Sequence, residues 1–194
     1  MWYIFRHGET LDNKRILQGR TATLLTLKGI VQAESYAYRL KENEENIKNY
    51  KFISSPIVRA LHTTQIMCEI CHIENIAKRI IKEDLLTEID IGDFVGKTTD
   101  EKQEKRDTDE DFWDYKYPNG ESYENVYQRM LDFVEKYKDE DNLVIVTHGR
   151  PLAFLKDILA KEPKNNIALK KENADLSQNY FYLYNQKEEI LTKI

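Results

Sequence analysis

The sequence predicts an α/β sandwich, and two observations carry that expectation. Short apolar or β-branched runs each stop at a turn and give way to helical periodicity, and this strand, turn, helix order recurs along the chain. The most hydrophobic β-branched run, residues 142–147 (Asn-Leu-Val-Ile-Val-Thr), reads as a central strand covered on both faces.

The elements follow in order. Residues 1–5 form a strand-type run that ends at Arg6-His7-Gly8, where glycine permits a sharp turn. Thr26 caps a helix that begins near Leu27 and buries Ala33, Tyr36, Ala37 and Leu40. Residues 51–54 are a second strand, and Ser55-Pro56 is expected to open the next helix with proline in its first turn. Val58 through Ile70 continues that helix. Residues 93–117, rich in Asp, Glu and Lys and ending in Phe112, Trp113, Tyr115 and Tyr117, read as a lid-like insertion. A helix over 122–138 precedes the central strand, and another over about 151–160 follows His148-Gly149. Residues 179–184 and 189–193 are expected to close the sheet as a hairpin across Gln186-Lys187. With 194 residues and no break in composition, one domain spanning 1–194 is expected.

Composition bounds the partners. The net charge is −5, and basic residues alternate with acids, which argues against nucleic acid. Apolar runs are too short for a membrane span, and the first apolar residues run straight into Arg6 without a signal core, so a cytoplasmic location is expected. Cys68 and Cys71 have C-x-x-C spacing inside an apolar helical stretch and read as a buried structural pair, with no metal site. His62 and His72 are expected to have no chemical role.

Ligands of open α/β sheets bind beyond the carboxyl ends of the strands. Three fragments reach that edge: Arg6-His7-Gly8-Glu9-Thr10, Ser54-Ser55-Pro56-Ile57-Val58-Arg59, and His148-Gly149. Together they supply two guanidinium forks that match phosphate oxygens and two imidazoles, a residue type that attacks phosphorus when neutral.

The ordered set R-H-G-E-T at 6–10 with Asn13, Q-G at 18–19, L-T-x-x-G at 25–29, S-S-P-x-x-R-A-x-x-T at 54–63, L-x-E-x-x-x-G at 86–92, G-E-S at 120–122 and T-H-G at 147–149 resembles the histidine phosphatase, or phosphoglycerate mutase-like, superfamily. The resemblance implies a three-layer α/β/α sandwich with a mainly parallel central sheet, and a metal-independent phosphohistidine mechanism without a cofactor. Carried over by position, His7 is the nucleophile; Arg6, Arg59 and His148 surround the phosphoryl group; and Glu88 is the proton donor, with Asp90 and Asp93 as local competitors. Asn13 and Gly19 match phosphate-approaching positions, and Gly149 and Arg150 are added as substrate contacts. Cationic neighbours keep the His7 lone pair free. One charge pair about 4 Å apart at an effective dielectric of 20 is worth roughly 4 kcal/mol, so the loss of one arginine is expected to cost several hundredfold.

Departures from the family pattern cluster around the core: Ala22, Thr23, Leu24 and Leu25 in the loop after Gln18-Gly19, Val95 where glutamate is frequent, and Arg150 where a small or amide residue is common. The reading is hydrolysis of a small-molecule phosphate ester, with no nucleic acid or membrane partner and a homodimer left open. A cofactor-dependent phosphoglycerate mutase is the nearest rival, and Glu88-Ile89-Asp90-Ile91-Gly92 matches poorly the E-R-H-Y-G-type stretch of such enzymes. A phosphoprotein phosphatase and an inactive phosphate-binding or scaffold member of the fold are further alternatives.

Overall fold

A computed structural model of the chain describes residues 1–12, 16–98, 113–164 and 180–194. Strands β1 (Trp2–Arg6), β2 (Lys51–Ser54), β3 (Ile80–Lys82), β4 (Leu143–Thr147), β5 (Tyr182–Asn185) and β6 (Ile190–Lys193) form one sheet in the order β3-β2-β4-β1-β5-β6. The pairings β3 to β2, β2 to β4 and β4 to β1 are parallel, whereas β5 and β6 add an antiparallel edge. Helices α1 (Leu27–Asn43), α2 (Val58–Ile70), α3 (Ile76–Arg79), α4 (Tyr123–Tyr137) and α5 (Gly149–Leu159) flank it.

Side-chain alternation along the strands produces the layers, because successive residues of a strand point to opposite faces. Trp2 and Ile4 of β1 and Leu143 and Ile145 of β4 join a core with Phe133 and Met130 of α4 and Phe154 and Leu155 of α5. Tyr3, Phe5, Val144 and Val146 turn to the other face, against Tyr36 and Leu40 of α1 and Met67 and Cys68 of α2. All five residues of β4 are buried, as a strand with helices on both sides requires. The expected sandwich with a mainly parallel sheet is therefore the observed one.

Local signals explain most boundaries. Thr26 accepts the Gly29 N–H as the cap of α1, and Ser122 caps α4 in a reciprocal box with Asn125. Proline does not open α2 as expected: Pro56 and Ile57 lie in a bend, Ile57 is the cap residue and the helix starts at Val58. The closing hairpin turns through residues 186–189, with the Asn185 side chain accepting the Lys187 N–H at 3.1 Å. Both cysteines are free and buried in the α1/α2 layer, and burial pushes their thiols up, Cys68 to about 12 and Cys71 to about 11. Thiols so protonated are structural.

Of the expected insertion, residues 99–112 lie outside the described residues. Its end is packed down. Trp113 stacks on Phe154 at 5.8 Å between ring centroids, and Tyr117 is buried between Phe94 and Tyr123. On the opposite core, the turn after β1 and the first turn of α1 meet backbone to backbone. A methyl group added to Gly8 would overlap the Gly29 carbonyl, and one added to Gly29 would overlap that of Glu9.

Candidate active site

Parallel register sets the site. Arg6 of β1 lies opposite Thr147 of β4, and Ser54 of β2 lies opposite Val146, so three strands end level. The ladder continues one residue further: the His7 N–H reaches the Thr147 carbonyl at 3.0 Å and the Ser55 N–H that of Val146 at 3.1 Å. His7, Ser55 and His148 thus emerge side by side, with the two imidazole centroids 5.0 Å apart and both rings buried.

His7 is oriented by its own turn. Its Nδ1 lies 2.7 Å from the Gly8 carbonyl, an acceptor, so Nδ1 carries the proton and Nε2 keeps the lone pair. The Gly8 N–H is in turn held by Thr63 Oγ1 of α2 at 3.1 Å. Arg59, 1% exposed, donates Nε–H to His7 Nε2 at 3.1 Å, and its other two nitrogens donate to the Thr21 and Gly19 carbonyls at 2.8 and 2.7 Å. These acceptors are uncharged, and among the described residues no carboxylate pairs with Arg59, so its charge remains available to an anion. Burial, then the Arg6 and Arg59 charges, hold the His7 imidazole well below its ordinary value of 6.5. Burial and Arg59, followed by His7 and Arg6, do the same to His148.

Glu88 arrives from the other core. The segment before it is pinned where Glu83 accepts from Lys136 Nζ at 2.6 Å and from Tyr137 Oη at 2.7 Å, and where Thr147 Oγ1 donates to the Leu86 carbonyl at 2.8 Å. Burial works to raise the Glu83 carboxyl, but its bonds from Lys136 and Tyr137 hold it below the ordinary value. The Glu88 side chain then accepts the N–H groups of Gly149 at 3.1 Å and Arg150 at 3.3 Å, two of the free amides at the start of α5.

Its two competitors point elsewhere. Asp90 accepts the Gly92 N–H at 2.9 Å, and Asp93 accepts from Asn119. Arg150 sets its guanidinium over the Tyr123 ring at 5.7 Å; burial works against its charge, but Tyr123, Glu88 and Tyr117 outweigh that and shift it upward. Gly19 contributes a carbonyl to Arg59, Gly149 an amide to Glu88, and Asn13 lies outside the described residues.

Several participants were not singled out from sequence. Ser55 and Thr63 sit inside the S-S-P-x-x-R-A-x-x-T run, and only their contacts reveal what the hydroxyls do. At the rim, Glu121 accepts from Arg20 at 2.7 Å and from Arg129 at 3.3 Å, while Arg20 Nε donates to the Glu88 carbonyl at 3.0 Å. These partners lie up to 101 positions apart, so the G-E-S run at 120–122 marks Glu121 without announcing what it pairs with.

The family model described as "Histidine phosphatase superfamily (branch 1)" matches residues 2–191. Among curated proteins, "Probable phosphoglycerate mutase GpmB" of Escherichia coli O1:K1 / APEC is 29% identical over 157 residues, 79% of this chain and 71% of that protein. The chicken (Gallus gallus) 6-phosphofructo-2-kinase/fructose-2,6-bisphosphatase is 28% identical over 153 residues, 75% of this chain but 30% of that much longer protein. Among solved structures, YhfR of Bacillus stearothermophilus superposes with a TM-score of 0.72 at 28% identity, covering 95% of this chain and 91% of that one. The alpha-ribazole phosphatase of Shigella flexneri gives a TM-score of 0.74 at 22% identity, over 98% and 93% of the two chains, a likeness of fold.

Proposed function

This chain belongs to the histidine phosphatase superfamily, and from that premise we propose that it is a metal-independent phosphomonoester hydrolase that passes the phosphoryl group of a small phosphorylated metabolite through His7. The observation that carries the reading is the environment of His7 Nε2: a neutral imidazole whose other nitrogen is committed to the Gly8 carbonyl, buried against a guanidinium with no carboxylate partner among the described residues.

In the resting site the Arg59 Nε–H occupies the lone pair that must attack. A phosphate dianion is a far better acceptor than an imidazole nitrogen, so substrate draws Arg59 onto its oxygens and uncovers Nε2. The Nε2 lone pair then forms the N–P bond as the bond from phosphorus to the ester oxygen breaks. Arg6, Arg59 and His148 stabilise the equatorial oxygens, and the leaving oxygen takes its proton from Glu88. In the second half, the Glu88 carboxylate accepts a proton from water as the water oxygen attacks phosphorus, which releases orthophosphate and restores the His7 lone pair. The cations supply the charge compensation that Mg²⁺ provides in other phosphoryl-transfer sites.

A labelled phosphomonoester quenched in alkali should leave acid-labile, alkali-stable phosphate on His7, with turnover inhibited by vanadate and indifferent to EDTA. Strong inhibition by EDTA overturns the metal-independent reading. Transfer of label to 3-phosphoglycerate in preference to water makes the chain a mutase instead.

A further inference from the structure

The bend between β2 and α2 holds a hydroxyl that the mechanism above does not use. Ser55 is fully buried directly beyond the end of β2. Proline at 56 has no N–H, so Ser55 Oγ takes its donor from the next residue, accepting the Ile57 N–H at 3.3 Å. On its other side, Oγ lies 2.7 Å from His148 Nε2. The opposite nitrogen of that ring, Nδ1, is buried and has no hydrogen-bond partner among the described residues.

A neutral imidazole carries one proton, and the two placements are not equivalent here. With the proton on Nε2, Ser55 Oγ accepts two N–H groups while its own hydrogen has no acceptor among the described residues, and Nδ1 presents a bare lone pair on the side of the ring away from Ser55. With the proton on Nδ1, Ser55 donates to Nε2 and every atom of the pair is satisfied except one: a buried N–H without an acceptor. An oxygen of a bound phosphoryl group is the acceptor that completes it.

We infer that Ser55 is a positioning residue that fixes His148 as its Nδ1–H tautomer, so that the ring meets the phosphoryl group as a hydrogen-bond donor. The inference rests on the reading of His148 as a phosphoryl-binding group, and it assigns to a structural-looking serine the choice between an attractive and a repulsive contact. Ser55 touches no reacting atom; it acts through the ring.

Ring ¹⁵N chemical shifts of His148 test this directly in the unmodified protein. Nδ1 is expected to be pyrrole-like and Nε2 pyridine-like, and the reverse pattern overturns the inference whatever the activity. In Ser55→Ala the shifts should move toward a mixture of tautomers and kcat should fall about 10- to 100-fold with a smaller change in KM, while Ser55→Thr, which keeps the hydroxyl, should restore both the tautomer and most of kcat. An Ala variant that folds with the His148 pattern unchanged also overturns it. Phosphate trapping on His7 in the same preparations separates the two readings. Label together with an Nε2–H ring sinks the Ser55 assignment alone, and an Nδ1–H ring without label supports the assignment and sinks the hydrolase.

Discussion

The centre of the site and its rim hold similar residues under opposite rules. At the rim, Arg20 and Arg129 share the carboxylate of Glu121, with Asp90 a further 3.9 Å from Arg20, so charge is cancelled locally. At the centre, Arg59 is tied to two backbone carbonyls and an imidazole, His7 to a carbonyl and His148 to a hydroxyl. The hydrogen-bond partners that fix Arg59 and His148 among the described residues are neutral, so their positioning does not itself cancel the Arg59 charge. Geometry and charge are thus supplied separately: the uncharged backbone orients the centre, and ion pairs hold the frame around it.

The comparison can be broken most severely at the nucleophile. His7→Ala should lower kcat about 10⁶-fold, since no other group can form the covalent intermediate, and retained turnover in a steady-state assay would falsify the central role of His7. Glu88→Gln should cost about 10²- to 10⁴-fold, and less on an ester such as p-nitrophenyl phosphate, whose leaving group needs no proton; equal losses on activated and unactivated esters sink the proton-donor role. Arg59→Ala should cost roughly 10²- to 10³-fold and weaken vanadate inhibition in parallel.

The rim should answer differently. Glu121→Gln is expected to change kcat less than about 10-fold, because both arginines it frees lie at the rim; Arg20 is 39% exposed and screened by solvent, whereas Arg129 is 11% exposed, so the larger effect falls on thermal stability. A loss at Glu121 as deep as that at Arg59 ends the division between frame and centre.

The smallest effect is in pH dependence. Both central imidazoles are held neutral far below 6.5 in the folded chain. Below that pH the unfolded chain binds protons that the folded one refuses, so stability from these two groups is complete above 6.5 and is lost as pH falls. Calorimetry should find unfolding near pH 5.5 accompanied by the uptake of about two protons through these rings. Uptake close to one means that one of them is already charged in the fold, and uptake close to zero that both are.

How much of this could be read in advance follows from how locally each feature is encoded. The strands and helices with strong periodicity lie close to where the sequence places them, and His7, Ser55 and His148 emerge together because strand ends in register are a property of the fold class. The turn into α3 and the strand Ile80–Lys82 went unread: three residues, two of them exposed, leave no alternation to detect. Glu88 was distinguishable from Asp90 and Asp93 only once the neighbouring backbone amides were in place, since three carboxylates within six positions look alike in one dimension. Ser55 and Thr63 were visible as letters of a motif, but a hydroxyl's task is defined by what it faces, and their partners lie 93 and 55 positions away.

The interlocked glycines at 8 and 29 impose something on any future redesign. The atoms that obstruct a side chain at either position belong to the main chain of the other segment, so no companion substitution can clear the space. A library randomised jointly at 8 and 29 will return glycine at both, because the joint that aims His7 admits no second solution.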